Sequence, residues 1–212
     1  MARAEKLYKD YFLEYASYVI RDRAIPDLLD GFKPVQRRIL HTMISIDDGR
    51  FNKVAGVVGE AMKYHPHGDS SIYGALVNIE NDGLFIEGQG NYGNILTGDS
   101  AAAARYIEYR LKPFAKKVLY SPEITEYVDS YDGRNKEPVV FQAKVPVVAI
   151  TGTSGIAVGM STKILPHNIL EVLECQKKAL RGEDFEIYPD FPTGGTVDVS
   201  DYDDGRGKVT VR

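Results

Sequence analysis

The sequence contains a single cysteine and no long apolar run. Cys175 cannot form a disulfide within the chain, and one thiol cannot build a cysteine-based metal cluster, so the composition is typical of a reducing cytoplasm. No segment approaches the roughly 18 to 20 apolar residues that cross a membrane, and the first six residues lack the apolar core of a signal peptide. We therefore predict a cytoplasmic protein without a membrane partner.

Excess positive charge is also lacking. The 212 residues carry a formal net charge of −4, and 43% of them are hydrophobic, which is enough for one large core or two modest ones. Residues 1–120 hold 16 Lys and Arg against 15 Asp and Glu, whereas residues 121–212 hold 10 against 15. The uneven charge suggests two regions. Any nucleic-acid contact must come from a local patch and not from overall composition.

Hydrophobic periodicity predicts four helices in the first half of the chain, at residues 7–19, 34–45, 53–63 and 69–80. The fourth helix is expected to take its N-cap from Asp69 or Ser70. The pattern then predicts a strand at 84–87, a glycine-rich loop at 88–98 and an alanine-rich helix that ends near residue 117. This order of elements indicates a helix-turn-helix with a wing, and hence a winged-helix domain.

Strand patterns dominate after residue 122. Strands are expected at 139–141, 145–150 and 194–199, and the clearest helix covers 169–180 with Asn168 as its cap. Residues 209–212 are predicted to form a strand without a partner, as if the chain ended inside a domain. The predicted fold class is therefore α+β, with a winged helix followed by the truncated start of an α/β domain.

The segment around Arg105 and Tyr106 combines a nucleophile with a permanent cation. If the segment is helical, Ala102 and Ala103 lie one turn before Tyr106 and leave room for a bulky substrate, while Arg110 lies one turn beyond it on the same face. This arrangement is typical of phosphate chemistry. An ordinary helix with an interfacial tyrosine is the alternative interpretation.

Two further groups of cations and donors could bind phosphate. His65 and His67 precede a helix N-terminus, where the backbone favours anions. A metal site with Asp69 and a turn with surface histidines are the alternatives, although Ser70 stands where a further ligand would be needed. The second group enters a helix and comprises Lys33, Arg37 and Arg38. Together with Arg105 and Tyr106, these groups predict a phosphodiester substrate.

Residues 88–93 match the dinucleotide-binding pattern G-x-G-x-x-G. That pattern must lead straight into a helix whose N-terminus holds the pyrophosphate, but residues 94–100 intervene here. A nucleotide enzyme is therefore a remote alternative, and we interpret the segment as a wing loop.

Six motifs resemble one known family. They are DGFKPVQRR at 30–38, KYHPHGDS at 63–70, EGQGNYG at 87–93, GDSAAAARY at 98–106, SGIAVGM at 154–160 and PHN at 166–168. From about residue 11 to its end, the chain is similar to the breakage-reunion (A) subunit of bacterial type IIA DNA topoisomerases. That family comprises the A subunits of DNA gyrase and of topoisomerase IV.

The resemblance implies site residues and domains. Tyr106 would be the nucleophile and Arg105 the transition-state stabiliser, with DNA contacts from Lys33, His65, His67 and Ser70 beside the Arg37 and Arg38 cluster. Ile156 would wedge between base pairs, which is a physically sensible way to kink a duplex. The implied domains are an N-terminal helical arm at 1–30, a winged-helix breakage-reunion domain at 31–140 and a partial tower domain at 141–212.

The resemblance also implies an activity and its partners. Tyr106 would form a transient 5′-phosphotyrosyl link on each strand and open a double-strand gate for ATP-driven passage of a second duplex, as in an ATP-hydrolysing type IIA topoisomerase. The sequence offers no convincing acidic cluster for a metal, and the resemblance implies that the metal-binding carboxylates and the ATPase belong to a B subunit, which would bind both Mg²⁺ and ATP. The implied assembly has two A and two B subunits, dimerises through the DNA gate and associates with the nucleoid. The chain would be a fragment that is inactive without the B subunit.

Three departures from the family pattern qualify this expectation. Gly74 stands where an acid usually follows Ser70 by four residues, so this chain lacks the acid that supports the family's quinolone-binding metal bridge. Ile107 and Ala104 replace a usual threonine and methionine and are compatible with the chemistry. Gln36 favours topoisomerase IV over gyrase only weakly.

A non-catalytic winged-helix DNA-binding module is the main alternative function.

Overall fold

A computed structural model describes residues 2–203 and 205–212, and side chains from residue 6 onward apart from residue 204. The chain forms two compact units. One unit is Phe32–Lys144, and the other combines the chain up to Gly31 with Val145–Arg212. Helices and small antiparallel sheets make up both units, which confirms the predicted α+β class.

Three packed helices form the core of the central unit, residues 32–144. They are α2 (Pro34–Ile46), α3 (Val54–Ala61) and α4 (Asp69–Asn81). Pro34 is the first residue of α2, as predicted, because its missing N–H costs nothing at that position. The Gln36 side-chain oxygen accepts a hydrogen bond from the Lys33 backbone N–H at 2.9 Å. The three helices pack on one another through fully buried side chains such as Leu40, Leu76 and Ile79.

The start of α4 differs from the prediction. Its N-cap is Gly68, which has no capping side chain, and Asp69 is already the first helical residue. The Asp69 carboxylate accepts from the Ser70 amide at 2.9 Å, and the Ser71 hydroxyl donates to the Gly68 carbonyl oxygen at 2.6 Å. Asp69 still places a negative charge in the first turn, where it interacts favourably with the positive end of the helix dipole.

A three-stranded antiparallel sheet lies beside these helices. Its strands are β1 (Asn52–Lys53), β2 (Ile86–Gln89) and β3 (Glu108–Leu111), in the order β1-β3-β2. Tyr109 is paired with both Asn52 and Gly88, which fixes the register. The strand predicted at 84–87 is β2, which begins two residues later than predicted, at Ile86. The remaining elements of this unit are α5 (Pro113–Leu119), β4 (Tyr127–Asp129) and β5 (Lys136–Pro138).

The predicted alanine-rich helix is wrong. Residues 101–107 form a loop and a turn, and β3 and α5 follow them. Alanine favours a helix by only tenths of a kcal/mol per residue over most other residues, and tertiary hydrogen bonds override a preference of that size. Here the amide of Ala102 donates to the Asn91 carbonyl oxygen at 2.9 Å, and the carbonyl of Ala104 accepts from the Ala55 amide at 3.1 Å.

The second unit contains the N-terminal helix and the C-terminal segment. Helix α1 (Ala2–Val19) continues as a π-helical turn, Ile20–Ala24. The later elements are α6 (Val147–Thr151), the β6–β7 hairpin (Thr153–Ile156 and Ser161–Ile164), α7 (Ile169–Arg181) and the β8–β9 hairpin (Val197–Asp203 and Arg206–Val211). The Asn168 side chain caps α7 by accepting from the Leu170 amide at 2.9 Å, as predicted.

Three strand predictions in the C-terminal half are corrected. Residues 139–141 are not a strand, and the apolar run predicted as a strand at 145–150 contains helix α6. Pro146 precedes this helix and Gly152, at φ +66°, ends it, so local backbone restraints outweigh the β-branched side chains. The last strand is not unpartnered, because β9 pairs with β8. None of the helices in the described residues combines the length and apolar content that a membrane crossing requires.

Gly74 offers a test of helix energetics. It lies inside α4, and a Cβ added there would meet no other atom within 4 Å. We expect Gly74→Ala to raise the free energy of unfolding by about 0.5 to 1 kcal/mol, because alanine loses less backbone entropy than glycine. Urea unfolding followed by circular dichroism measures the change.

Gly90→Ala is the matched control. Gly90 has φ +109°, and a Cβ there would lie 2.9 Å from Cγ2 of Ile107. We expect this variant to be less stable than the parent, because both the backbone and the neighbouring side chain must shift. Equal effects of the two substitutions would contradict the assignment of Gly74 to an unobstructed helix face.

Candidate functional site

Arg105 and Tyr106 lie in the turn that precedes β3. The Tyr106 side chain is 64% exposed, and the Cζ atom of Arg105 lies 4.5 Å from the centre of its ring. Cation–π attraction at this distance holds the guanidinium over the phenol. The structure therefore presents an accessible nucleophile with a permanent positive charge beside it.

The turn is held by backbone hydrogen bonds to the start of α3 and by one bond within the turn itself. The amides of Val54 and Ala55, at the start of α3, donate to the carbonyl oxygens of Ile107 and Ala104, each at 3.1 Å. Within the turn, the Tyr106 amide donates to the Ala103 carbonyl oxygen at 2.9 Å. These bonds tie the turn to a packed helix, so Tyr106 stands on a held segment and not on a free loop.

Tyr73 is a candidate site residue that the sequence did not reveal. Its hydroxyl, from the second turn of α4, donates to the Ala102 carbonyl oxygen at 2.5 Å. The bond joins the helix that starts with Asp69 to the segment that carries Tyr106. The only sequence signal was the place of Tyr73 three residues after Ser70, which makes the two neighbours on a helix but gives no hint of the loop contact.

The predicted position of Arg110 is wrong because the segment is not a helix. Arg110 lies on β3, where its Nη2 atom contacts a Glu87 carboxylate oxygen at 2.7 Å. Its Cζ atom also lies 4.5 Å from the centre of the Phe51 ring. The Arg110 guanidinium therefore contacts Glu87 and Phe51, whereas the Arg105 guanidinium lies over the ring of Tyr106.

The two histidines of the turn after α3 lie face to face. Their ring centres are 4.4 Å apart with 25° between the planes. His65 is buried, and its Nδ1 atom lies 3.1 Å from Nη1 of Arg38. His67 is half-buried. The pair thus extends from the interior of the unit towards its surface.

The three cations Lys33, Arg37 and Arg38 differ in burial and in their partners. Arg38 forms a forked ion pair with the buried Glu137, with a distance of 3.0 Å between Nη2 and Oε1. Arg37 is also buried and donates to the Phe32 carbonyl oxygen at 3.1 Å. Lys33 is half-buried at the N-cap of α2, and this burial lowers its pKa. The structure therefore brings Arg38 and His65 together and directs both arginines to partners within the unit.

The other two predicted contact residues are exposed. Ser70 lies in the first turn of α4. Ile156, in the second unit, is 82% exposed at the end of β6. No three His, Cys, Asp or Glu side chains come together as a metal site within the described ranges 2–203 and 205–212.

Comparison with known proteins gives a consistent result. Residues 23–212 match the family described as the A subunit of DNA gyrase/topoisomerase IV. The chain is 65% identical over 204 residues to the A subunit of DNA topoisomerase 4 from Borreliella burgdorferi, which covers 96% of this chain and 33% of that protein. It is 41% identical over 232 residues to the A subunit of DNA gyrase from Metamycoplasma arthritidis, covering 98% of this chain and 26% of the relative. The chain thus spans about a third or less of the length of these relatives.

Proposed function

The chain belongs to the family formed by the A subunits of DNA gyrase and topoisomerase IV, and from this premise we propose that it carries the DNA-cleaving and religating site of a type IIA topoisomerase. The observation that supports this most directly is the Arg105 guanidinium 4.5 Å from the ring of the exposed Tyr106, on a turn held by α3 and α4. Other tyrosines of the chain, such as Tyr131 at 59%, are similarly exposed, so the support comes from the pairing of Tyr106 with a guanidinium and not from its exposure.

The proposed reaction is a reversible transesterification. The Tyr106 oxygen forms a bond to phosphorus, the bond from phosphorus to the 3′ oxygen breaks, and a 5′-phosphotyrosyl diester remains. The phenol proton is transferred to a base or water, and the departing 3′ oxygen takes up a proton. Arg105 is always protonated and stabilises the negative charge that develops on the phosphate oxygens. Because one diester replaces another, religation needs no high-energy cofactor.

The proposed DNA contacts fall into two groups. Ser70 and His67 reach the surface of the central unit, and Lys33 stands at the N-cap of α2. His65, Arg37 and Arg38 support them from within, because each is bonded inside the unit and Arg37 and His65 are buried. In the second unit, Ile156 acts as the apolar wedge that bends DNA.

We further assign the central unit to a winged-helix fold and the C-terminal segment to part of a tower domain. Helices α2 to α4 followed by a three-stranded sheet support the winged helix. From the family we also propose that Mg²⁺ and ATP are bound by a B subunit. The proposed assembly is a cytoplasmic, nucleoid-associated heterotetramer of two A and two B subunits that dimerises at the DNA gate and is inactive without the B subunit.

Covalent capture of DNA tests this function. The full-length chain, its B subunit, Mg²⁺ and end-labelled duplex are mixed and then denatured with detergent. A protein-linked 5′ end is expected. DNA binding without any covalent link would favour the alternative, a non-catalytic winged-helix module.

Tyr73→Phe tests how the cleavage turn is held. Loss of the bond to Ala102 leaves a carbonyl without its partner, which costs about 1 to 2 kcal/mol. If this free energy is added to the activation barrier for cleavage, the rate of adduct formation at saturating DNA drops roughly 5- to 30-fold. Single-turnover kinetics measure this rate.

Tyr92→Phe provides the comparison. The Tyr92 hydroxyl donates to the Glu108 carbonyl oxygen at 2.8 Å, which is a bond of the same type beyond the turn. We expect a similar loss of stability in urea but a much smaller change in the adduct rate. Equal effects of the two variants on the rate would show that Tyr73 acts only through general stability.

A further inference from the structure

The β6–β7 hairpin has two different faces. Ile156 is paired with Ser161, and Ser154 with Lys163. Directly opposed residues share a face, and so do residues two apart on a strand, so all four side chains lie on one face. All four are exposed.

The opposite face is closed by the N-terminal segment. Gly155 is buried, and a Cβ at that position would lie 2.1 Å from the carbonyl oxygen of Ala24. No side chain larger than hydrogen fits there without movement of the backbone. This contact fixes which face of the hairpin is open, so the Ile156 face is directed away from the segment that carries Ala24.

The open face combines an apolar tip with polar groups behind it. Met160, in the turn between the two strands, is 52% exposed, and the Ala157 amide closes this turn by donating to the Met160 carbonyl oxygen at 2.9 Å. Lys163 is the one charged residue in the hairpin sequence 153–164. A single cation among hydroxyl groups behind an apolar wedge matches a DNA backbone better than it matches an apolar protein surface.

We propose that Lys163, with the hydroxyl of Ser161, binds the phosphate backbone beside the base step that Ile156 wedges. The inference rests on the proposed function, since it takes DNA as the ligand of this hairpin. Two residues of a strand span about 6.8 Å, which equals about two base-pair steps at 3.4 Å each. Lys163 therefore lies within about two base-pair steps of the wedge, close enough for its long side chain to reach a neighbouring phosphate.

The test is the salt dependence of DNA binding. At several KCl concentrations and without ATP, a fluorescent duplex is titrated with the full-length chain bound to its B subunit. For Lys163→Gln we expect the slope of log K against log salt to fall by about 0.9, the value for one phosphate contact. The same relation gives a loss of affinity of about five-fold at 0.15 M salt.

Two variants control for charge and position. Lys163→Arg keeps the cation and should restore the slope. Lys178→Gln removes an exposed cation from α7, outside the hairpin, and should leave the slope unchanged. If Lys163→Gln binds DNA with the slope and affinity of the parent, or weakens binding to the B subunit while the slope stays intact, the proposal is overturned. Covalent capture at Tyr106 is scored separately, so a failure of the hairpin contact is distinguishable from a failure of the proposed cleavage activity.

Discussion

Tyr106→Phe should abolish the covalent DNA adduct while leaving DNA binding nearly intact. Phenylalanine lacks the oxygen that attacks phosphorus but keeps the ring beneath the Arg105 guanidinium. We expect adduct formation to fall about 1,000-fold or more, as when the nucleophile of other enzymes is removed. The measurement is the yield of protein-linked 5′-end-labelled DNA at saturating duplex, with the binding constant measured in parallel.

Tyr131→Phe is the matched control for this experiment. Tyr131 lies in the same unit and is 59% exposed, close to the 64% of Tyr106. Its substitution should not change the adduct yield. An undiminished adduct in Tyr106→Phe would mean that another residue is the nucleophile, and a loss of DNA binding to match the loss of adduct would favour the non-catalytic module.

Arg105→Ala is expected to have the next largest effect. Removal of a group that stabilises charge in the transition state typically lowers a rate about 100- to 1,000-fold. Arg105→Lys should recover part of this rate, because it restores a charge without the planar fork of guanidinium donors. Single-turnover adduct formation at saturating DNA separates this effect from any loss of affinity.

Arg110→Ala is the matched control for Arg105→Ala. Both arginines lie over an aromatic ring at 4.5 Å, but Arg110 contacts Phe51 and Glu87 and not Tyr106. We expect the Arg110 variant to retain the rate within a few-fold. If the two alanine variants slow adduct formation equally, the special role of Arg105 is refuted, and both residues would be acting through the sheet.

The difference between these arginines shows where interpretation of the sequence failed. A run of four alanines predicts a helix, and on a helix Arg110 would lie on the same face as Tyr106. In the structure, the carbonyl oxygens of Ala102 and Ala104 bond to Tyr73 and Ala55, which are distant in sequence. Helix propensity is a local quantity, so it carried no information about these partners.

The cationic cluster shows a similar limit. The sequence predicted Arg37, Arg38 and His65 as phosphate contacts, whereas the structure gives each of them a partner inside the central unit, and we propose that they support the contact residues from there. The half-buried Arg38 pairs with the buried carboxylate of Glu137, which lies 99 residues later in the chain. A charge is placed inside a protein only when such a partner is present, and a linear motif does not show it.

The sequence by itself determined the α+β class, the boundaries of α2 and α7, and the family through motifs such as residues 63–70 and 98–106. These features depend on side-chain periodicity, caps and residue order, which are local. Tertiary structure alone decided the conformation of the Tyr106 turn, the roles open to Tyr73 and Arg38, and the exposed face of the β6–β7 hairpin. Each of these depends on hydrogen bonds or burial between segments far apart in the chain, and the free energy of such contacts exceeds any local preference of the residues that make them.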